Sequence, residues 1–77
     1  MTQQEFLKDL KRNKRWQRSL LGSAIKATGD NGSEYNLITD DADFYMSLGM
    51  LFDEMGINGW ESESFIDKVC KTINAEW

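Results

Sequence analysis

Gly29-Asp30-Asn31-Gly32 is the densest turn signal in the chain, and it separates a basic helical segment from two acidic ones. Glycine takes positive φ without steric cost, and Asn and Asp tolerate left-handed backbone and cap their own turns. A regular helix or strand therefore cannot cross Thr28–Thr39 unbroken. Two folds satisfy that constraint. In the preferred one, Ser23–Thr28 and Ser33–Ile38 are strands around a Gly-Asp-Asn-Gly loop, with Tyr35 and Leu37 on one face. A lone hairpin is marginal in water, so it must lie against helices. The expected class is then α+β, in the order helix, β-hairpin, two helices. In the alternative, the first helix runs on to Ala27 and ends with Gly29 at C′, giving an all-α three-helix bundle.

The flanking segments read as amphipathic helices. Thr2 with Glu5 has the form of a capping box. Phe6, Leu7, Leu10, Leu20, Leu21, Ala24 and Ile25 project onto one half of a helix, and the basic residues mostly onto the other. Asn13 and Gln17 interrupt the apolar half, and Trp16 lies at its margin. A continuous helix is expected through about Arg15. Thr39-Asp40-Asp41-Ala42-Asp43 supplies caps and negative charge for a second helix. Phe44, Tyr45, Leu48, Leu51, Phe52 and Met55 form its core stripe. Gly56 stops it, and Asn58-Gly59 turns the chain into a third helix beginning near Trp60–Ser64. That helix buries Phe65, Ile66, Val69, Cys70 and Ile73, with Trp77 as a further extension.

A 77-residue chain is one domain near the lower limit for folding on its own core. It has no histidine and one cysteine. That excludes an internal disulfide and a zinc site built on cysteine pairs, and removes the commonest general base. Any catalysis would fall to carboxylates or lysine, and the acids lie in loops and first turns. The acidic runs also miss the calcium-loop spacing. The expectation is a non-enzymatic protein without metal, cofactor or small-molecule substrate. No segment approaches the about 18 apolar residues of a membrane span. No leader pattern is visible, so a cytoplasmic location without membrane contact is expected.

Charge is divided unevenly. Residues 1–26 carry a balance of +5 and residues 27–77 one of −9, within a net charge of −4. Lys11, Arg12, Lys14, Arg15 and Arg18, with Trp16 available to stack on a base, meet the minimum for nucleic-acid contact. A solvated face is the plainer reading of that run. The candidate partner-binding acids are Asp30 and Glu34, with Asn31, then Asp40, Asp41, Asp43, Asp53, Glu54, Glu61 and Glu63. They would offer negative potential to a basic protein. Met46 and Met50, four residues apart, stack on the second helix opposite its core stripe. Either they form an adaptable apolar patch or the hairpin or first helix covers them.

Gly29-Asp30-Asn31-Gly32-Ser33-Glu34-Tyr35, the acid-capped helix, Asn58-Gly59-Trp60, Glu63-Ser64-Phe65-Ile66-Asp67-Lys68 and Thr72-Ile73 follow one another in an order that resembles small acidic prophage anti-CRISPR proteins of the Cas9-inhibitor type. The resemblance implies a first helix, a small antiparallel sheet and two further helices. It also implies nucleic-acid mimicry, with acids occupying the PAM-reading surface so that DNA is excluded. The matching positions are Asp30, Asn31 and Glu34, then Glu61 and Glu63. In this chain the first helix is more basic and the acidic cluster between the last helices thinner. The expectation carried forward is therefore a small phage or mobile-element inhibitor that binds a host protein with a basic nucleic-acid-binding surface. The alternative is a nucleic-acid-binding or regulatory module acting through the basic first helix.

Overall fold

The computed structural model describes residues 1–77. In chain order the elements are α1 (Gln3–Leu10), α2 (Lys14–Leu20), β1 (Ala24–Thr28), β2 (Glu34–Ile38), α3 (Asp41–Met55), α4 (Glu63–Thr72) and β3 (Ala75–Glu76). The class is α+β, and residues 24–28 are strand, which rules out the all-α bundle.

The single first helix does not form. It breaks at Lys11–Asn13, and the polar residues on its apolar side cause the break. Asn13 is the N-cap of α2, its Oδ1 accepting from the Trp16 N–H at 3.0 Å. Gln17 reaches back, and its Nε2 donates to the carbonyls of Leu10 and Lys11 at 2.7 and 3.2 Å, satisfying the open end of α1. The capping box at the start of α1 is present in full: the Glu5 N–H donates to Thr2 Oγ1, and the Thr2 N–H to Glu5 Oε1.

Asp40 caps α3, accepting from the Asp43 N–H at 3.0 Å. Gly56 ends α3 in the left-handed region at φ 68°, where a Cβ would be strained. Ser62 caps α4 through the Phe65 N–H. Gln3 Nε2 donates to the carbonyls of Asn58 and Gly59, tying the start of α1 to the loop between α3 and α4.

The core is mostly helical, with Ile57, Trp60 and Ile73 added from segments that flank the helices. Of its buried residues only Ile38 comes from a strand. Phe6 sits at the centre, stacked on Trp16 at 4.9 Å and 16° and edge-on to Phe52 at 4.8 Å and 85°. It also meets Phe65 at 6.4 Å. Trp60 is buried against Phe52, and the sequence accommodates its ring with Gly49, whose added Cβ would lie 3.3 Å from Trp60 Cζ2. The third helix does not extend to Trp77. Asn74 takes φ 54°, and the chain leaves α4 to form β3.

The strand order is β1-β2-β3, with β1 antiparallel to β2 and β3 parallel to β2. Ile25 pairs with Leu37 and Ala27 with Tyr35 on one face, and Ala24 pairs with Ile38 on the other. The ladder bonds at Gly29–Ser33 and Thr39–Ser23 fix the alternation. Lys26 and Thr28 therefore turn their backbone groups away from β2, leaving an open edge. Ile25 stands on that strand 55 % exposed.

Asn13→Ala should lower stability by about 1 kcal/mol through loss of the cap. Phe6→Ala should cost about 3–5 kcal/mol. Urea denaturation followed by far-UV circular dichroism measures both, and equal losses would contradict the assigned roles.

Candidate protein-binding surface

Each acid predicted from the sequence is exposed, but the fold does not gather them into one patch. Asp30 and Asn31 lie in the hairpin loop, where Asn31 Oδ1 accepts from the Ser33 N–H at 3.0 Å and Gly32 takes φ 81°. Glu34 opens β2. Asp40, Asp41 and Asp43 sit beyond the other end of β2, a strand spanning about 15 Å at roughly 3.3 Å per residue. Asp53 and Glu54 lie in the last part of α3, and Glu61 and Glu63 flank the cap of α4. The acids thus form separate groups at the hairpin tip, the entry and outer side of α3, and the entry of α4.

The outer side of α3 has the more specific chemistry. Phe44, Leu48, Leu51 and Phe52 are buried, so the helix face opposite them meets solvent. Met46 is 64 % and Met50 69 % exposed there. Neither the hairpin nor the first helices cover them, so the pair is an exposed apolar spot. Asp43, Asp53 and Glu54 flank them around the helix, and α3 contains no Lys or Arg. Tyr45 is also exposed, beside Trp60 and Trp77 at centroid distances of 5.2 and 6.3 Å.

The basic surface lacks its expected aromatic. Lys11 and Arg12 lie in the turn between α1 and α2, with Lys14, Arg15 and Arg18 on α2, and all are exposed. Trp16 is only 7 % exposed and stacked on Phe6, so it cannot stack on a base. Its Nε1 is buried without a hydrogen-bond partner. No Lys or Arg side chain takes part in the hydrogen bonds of the fold.

A groove separates the hairpin from α4. Asn31, Glu34 and Tyr35 line it on one side, Asp67, Cys70 and Lys71 on the other, and Glu76 and Trp77 also contribute. Tyr35, Asp67, Lys71 and Glu76 line the groove and were not among the candidate residues of the sequence. The available signal was the i, i+4 spacing of Asp67 and Lys71, which puts both on one side of α4.

Burial, and then the Asp67 charge, push the Cys70 thiol up to about 11, so it stays protonated at neutral pH. The Thr2 hydrogen bonds hold the Glu5 carboxyl below its usual value. No grouping of His, Cys, Asp or Glu is placed to hold a metal ion. No helix is long and apolar enough to cross a membrane. No family model matches the chain, and no curated protein or solved structure matches it either.

A raised thiol pKa stabilises the fold below its unfolded value, and this contribution is lost as pH rises toward the folded value. The stability difference between the native chain and Cys70→Ala should therefore be constant below pH 9 and shrink toward pH 11. Urea midpoints across that range check it. A difference independent of pH would refute the burial account.

Proposed function

We propose that the chain is a non-enzymatic inhibitor that docks the outer face of α3 on a host nucleic-acid-binding protein and keeps nucleic acid off its basic surface. The observation that carries this reading is the exposed Met46 and Met50 pair among Asp43, Asp53 and Glu54. An apolar centre within a polar rim is the usual anatomy of a protein interface. Methionine adapts to an irregular partner, and burying one such side chain gains about 1.5–3 kcal/mol. The surrounding carboxylates favour a partner whose apolar spot is ringed by Lys and Arg. Such a surface is one that binds phosphates, so occupying it excludes nucleic acid. The hairpin-tip acids Asp30 and Glu34 stand apart from α3 and would form a second contact. The resemblance to prophage anti-CRISPR proteins makes a Cas9–guide RNA complex the first target to assay.

Affinity capture from host lysate, followed by gel-shift competition between the captured protein and its nucleic acid, tests this reading. Met46→Ser with Met50→Ser should weaken capture by roughly tenfold or more, since each loses a buried side chain, without lowering the melting temperature. Asp53→Lys with Glu54→Lys should do the same and slow association. Capture that ignores both pairs overturns the reading. So does salt-sensitive binding of generic DNA or RNA by the chain itself that vanishes when Arg12, Lys14 and Arg15 become Ala, which would assign function to the basic turn and α2 instead.

A further inference from the structure

β1 is an edge of the sheet, and β2 is the element packed along it. Ile25 and Ala27 direct their backbone bonds to β2, so Lys26 and Thr28 each present an N–H and a C=O on the open side. The first residue of the strand is tied down, because the Ala24 N–H donates to the Leu21 carbonyl at 3.1 Å. Two donors and two acceptors thus stand on alternate residues of an extended strand, roughly 7 Å apart. Another extended chain supplies the matching alternation of C=O and N–H; a helix has its own groups already paired.

The side chains of β1 say which chain fits. Ile25 and Ala27 lie on one face of the sheet, beside Leu37 and Tyr35. Ile25 is 55 % exposed and has β2 on one flank only. Lys26 lies on the other face, across from Asn36. Glu34 is the one carboxylate on that face of the strands, two positions along from Asn36. No hydrogen bond of the fold engages the Lys26 ammonium. In an added strand, the residue opposite Lys26 shares its face, and the residues before and after it share the face of Ile25 and Ala27. A carboxylate opposite Lys26, with an apolar residue on either side, meets both demands. A second copy of β1 has no carboxylate to put there.

We propose that the β1 edge takes up an extended segment of a partner protein as a fourth strand. The segment runs antiparallel to β1, with an Asp or Glu opposite Lys26 and apolar residues beside Ile25 and Ala27. Main-chain bonds to Lys26 and Thr28 hold it, and the central carboxylate fixes its register. None of these groups belongs to α3, and the test uses a synthetic peptide, so this proposal and the docking of α3 can fail separately.

The experiment titrates the full chain with the acetylated, amidated peptide Thr-Tyr-Glu-Val-Thr and with the same peptide carrying Lys in place of Glu. Amide spectra and hydrogen exchange are the readouts. The glutamate peptide should give saturable shifts along β1 and slow the exchange of the Lys26 and Thr28 amides. The lysine peptide should bind at least about threefold more weakly, since an opposed like charge replaces an opposite one. N-methylation of the peptide's Glu should abolish binding, because that N–H pairs with Lys26, whereas N-methylation of its Val, whose N–H points outward, should be tolerated. Lys26→Glu should reverse the order of the two peptides, and Lys26→Gln should remove the difference between them. Absence of saturation, binding that survives N-methylation of the Glu, or an order of peptides that ignores both Lys26 variants would overturn the proposal. So would concentration-dependent dimerisation that protects the Lys26 and Thr28 amides without peptide, which would give the edge to a second copy.

Discussion

Phe6 joins the helices. One ring, carried by the first helix, stacks on Trp16 of α2, takes the edge of Phe52 of α3 and meets Phe65 of α4. One side chain of α1 thus contacts each of the other three helices. The aromatic cluster replaces the larger aliphatic core that a domain of this size cannot build, and the quadrupoles of its rings favour the stacked and edge-on geometries seen. The break at Asn13 serves this cluster. A straight helix from Gln3 to Leu20 would carry Phe6 and Trp16 about 15 Å apart along its axis, at 1.5 Å per residue. Two capped helices fold back and bring the rings into contact.

Because the helices hold the core, the sheet is free to be peripheral. Only Ile38 enters the interior, and the hairpin tip extends away from it. The outer face of α3 and the hairpin–α4 groove are likewise surfaces that the core does not need. A small fold can change the residues there at little cost in stability, while the backbone beneath them stays fixed.

The elements with strong local chemistry were legible in the sequence. The Gly29–Gly32 turn, the Asp40 cap, the Gly56 stop and the apolar faces of α3 and α4 lie where period and capping place them, save that Tyr45, expected in the stripe of α3, is exposed. Two features were not legible, for different reasons. Asn13 and Gln17 look like flaws in an apolar face until the chain is seen to turn there, and then they are the groups that make the turn. β3 has no local signal at all, since two residues cannot show a period. It exists through the Asn36 and Asn74 hydrogen bonds, made across nearly half the chain. The candidate surface was legible in part. Periodicity put Met46 and Met50 opposite the core, but their exposure depended on where the hairpin lay. Trp16 went the other way, because the turn at Asn13 carried it inside. The groove was hidden because its two sides meet only after β3 has paired.

The open edge of β1 bears on how the chain treats its own copies. An unpaired strand flanked by an exposed Ile25 is a template for edge-to-edge stacking. Lys26 stands at the middle of that strand with its backbone facing outward. In a two-fold antiparallel pairing centred there, each Lys26 would face the Lys26 of the other copy, and like charges directly opposed across strands repel. An ammonium at the centre of the open edge thus opposes self-pairing in that register.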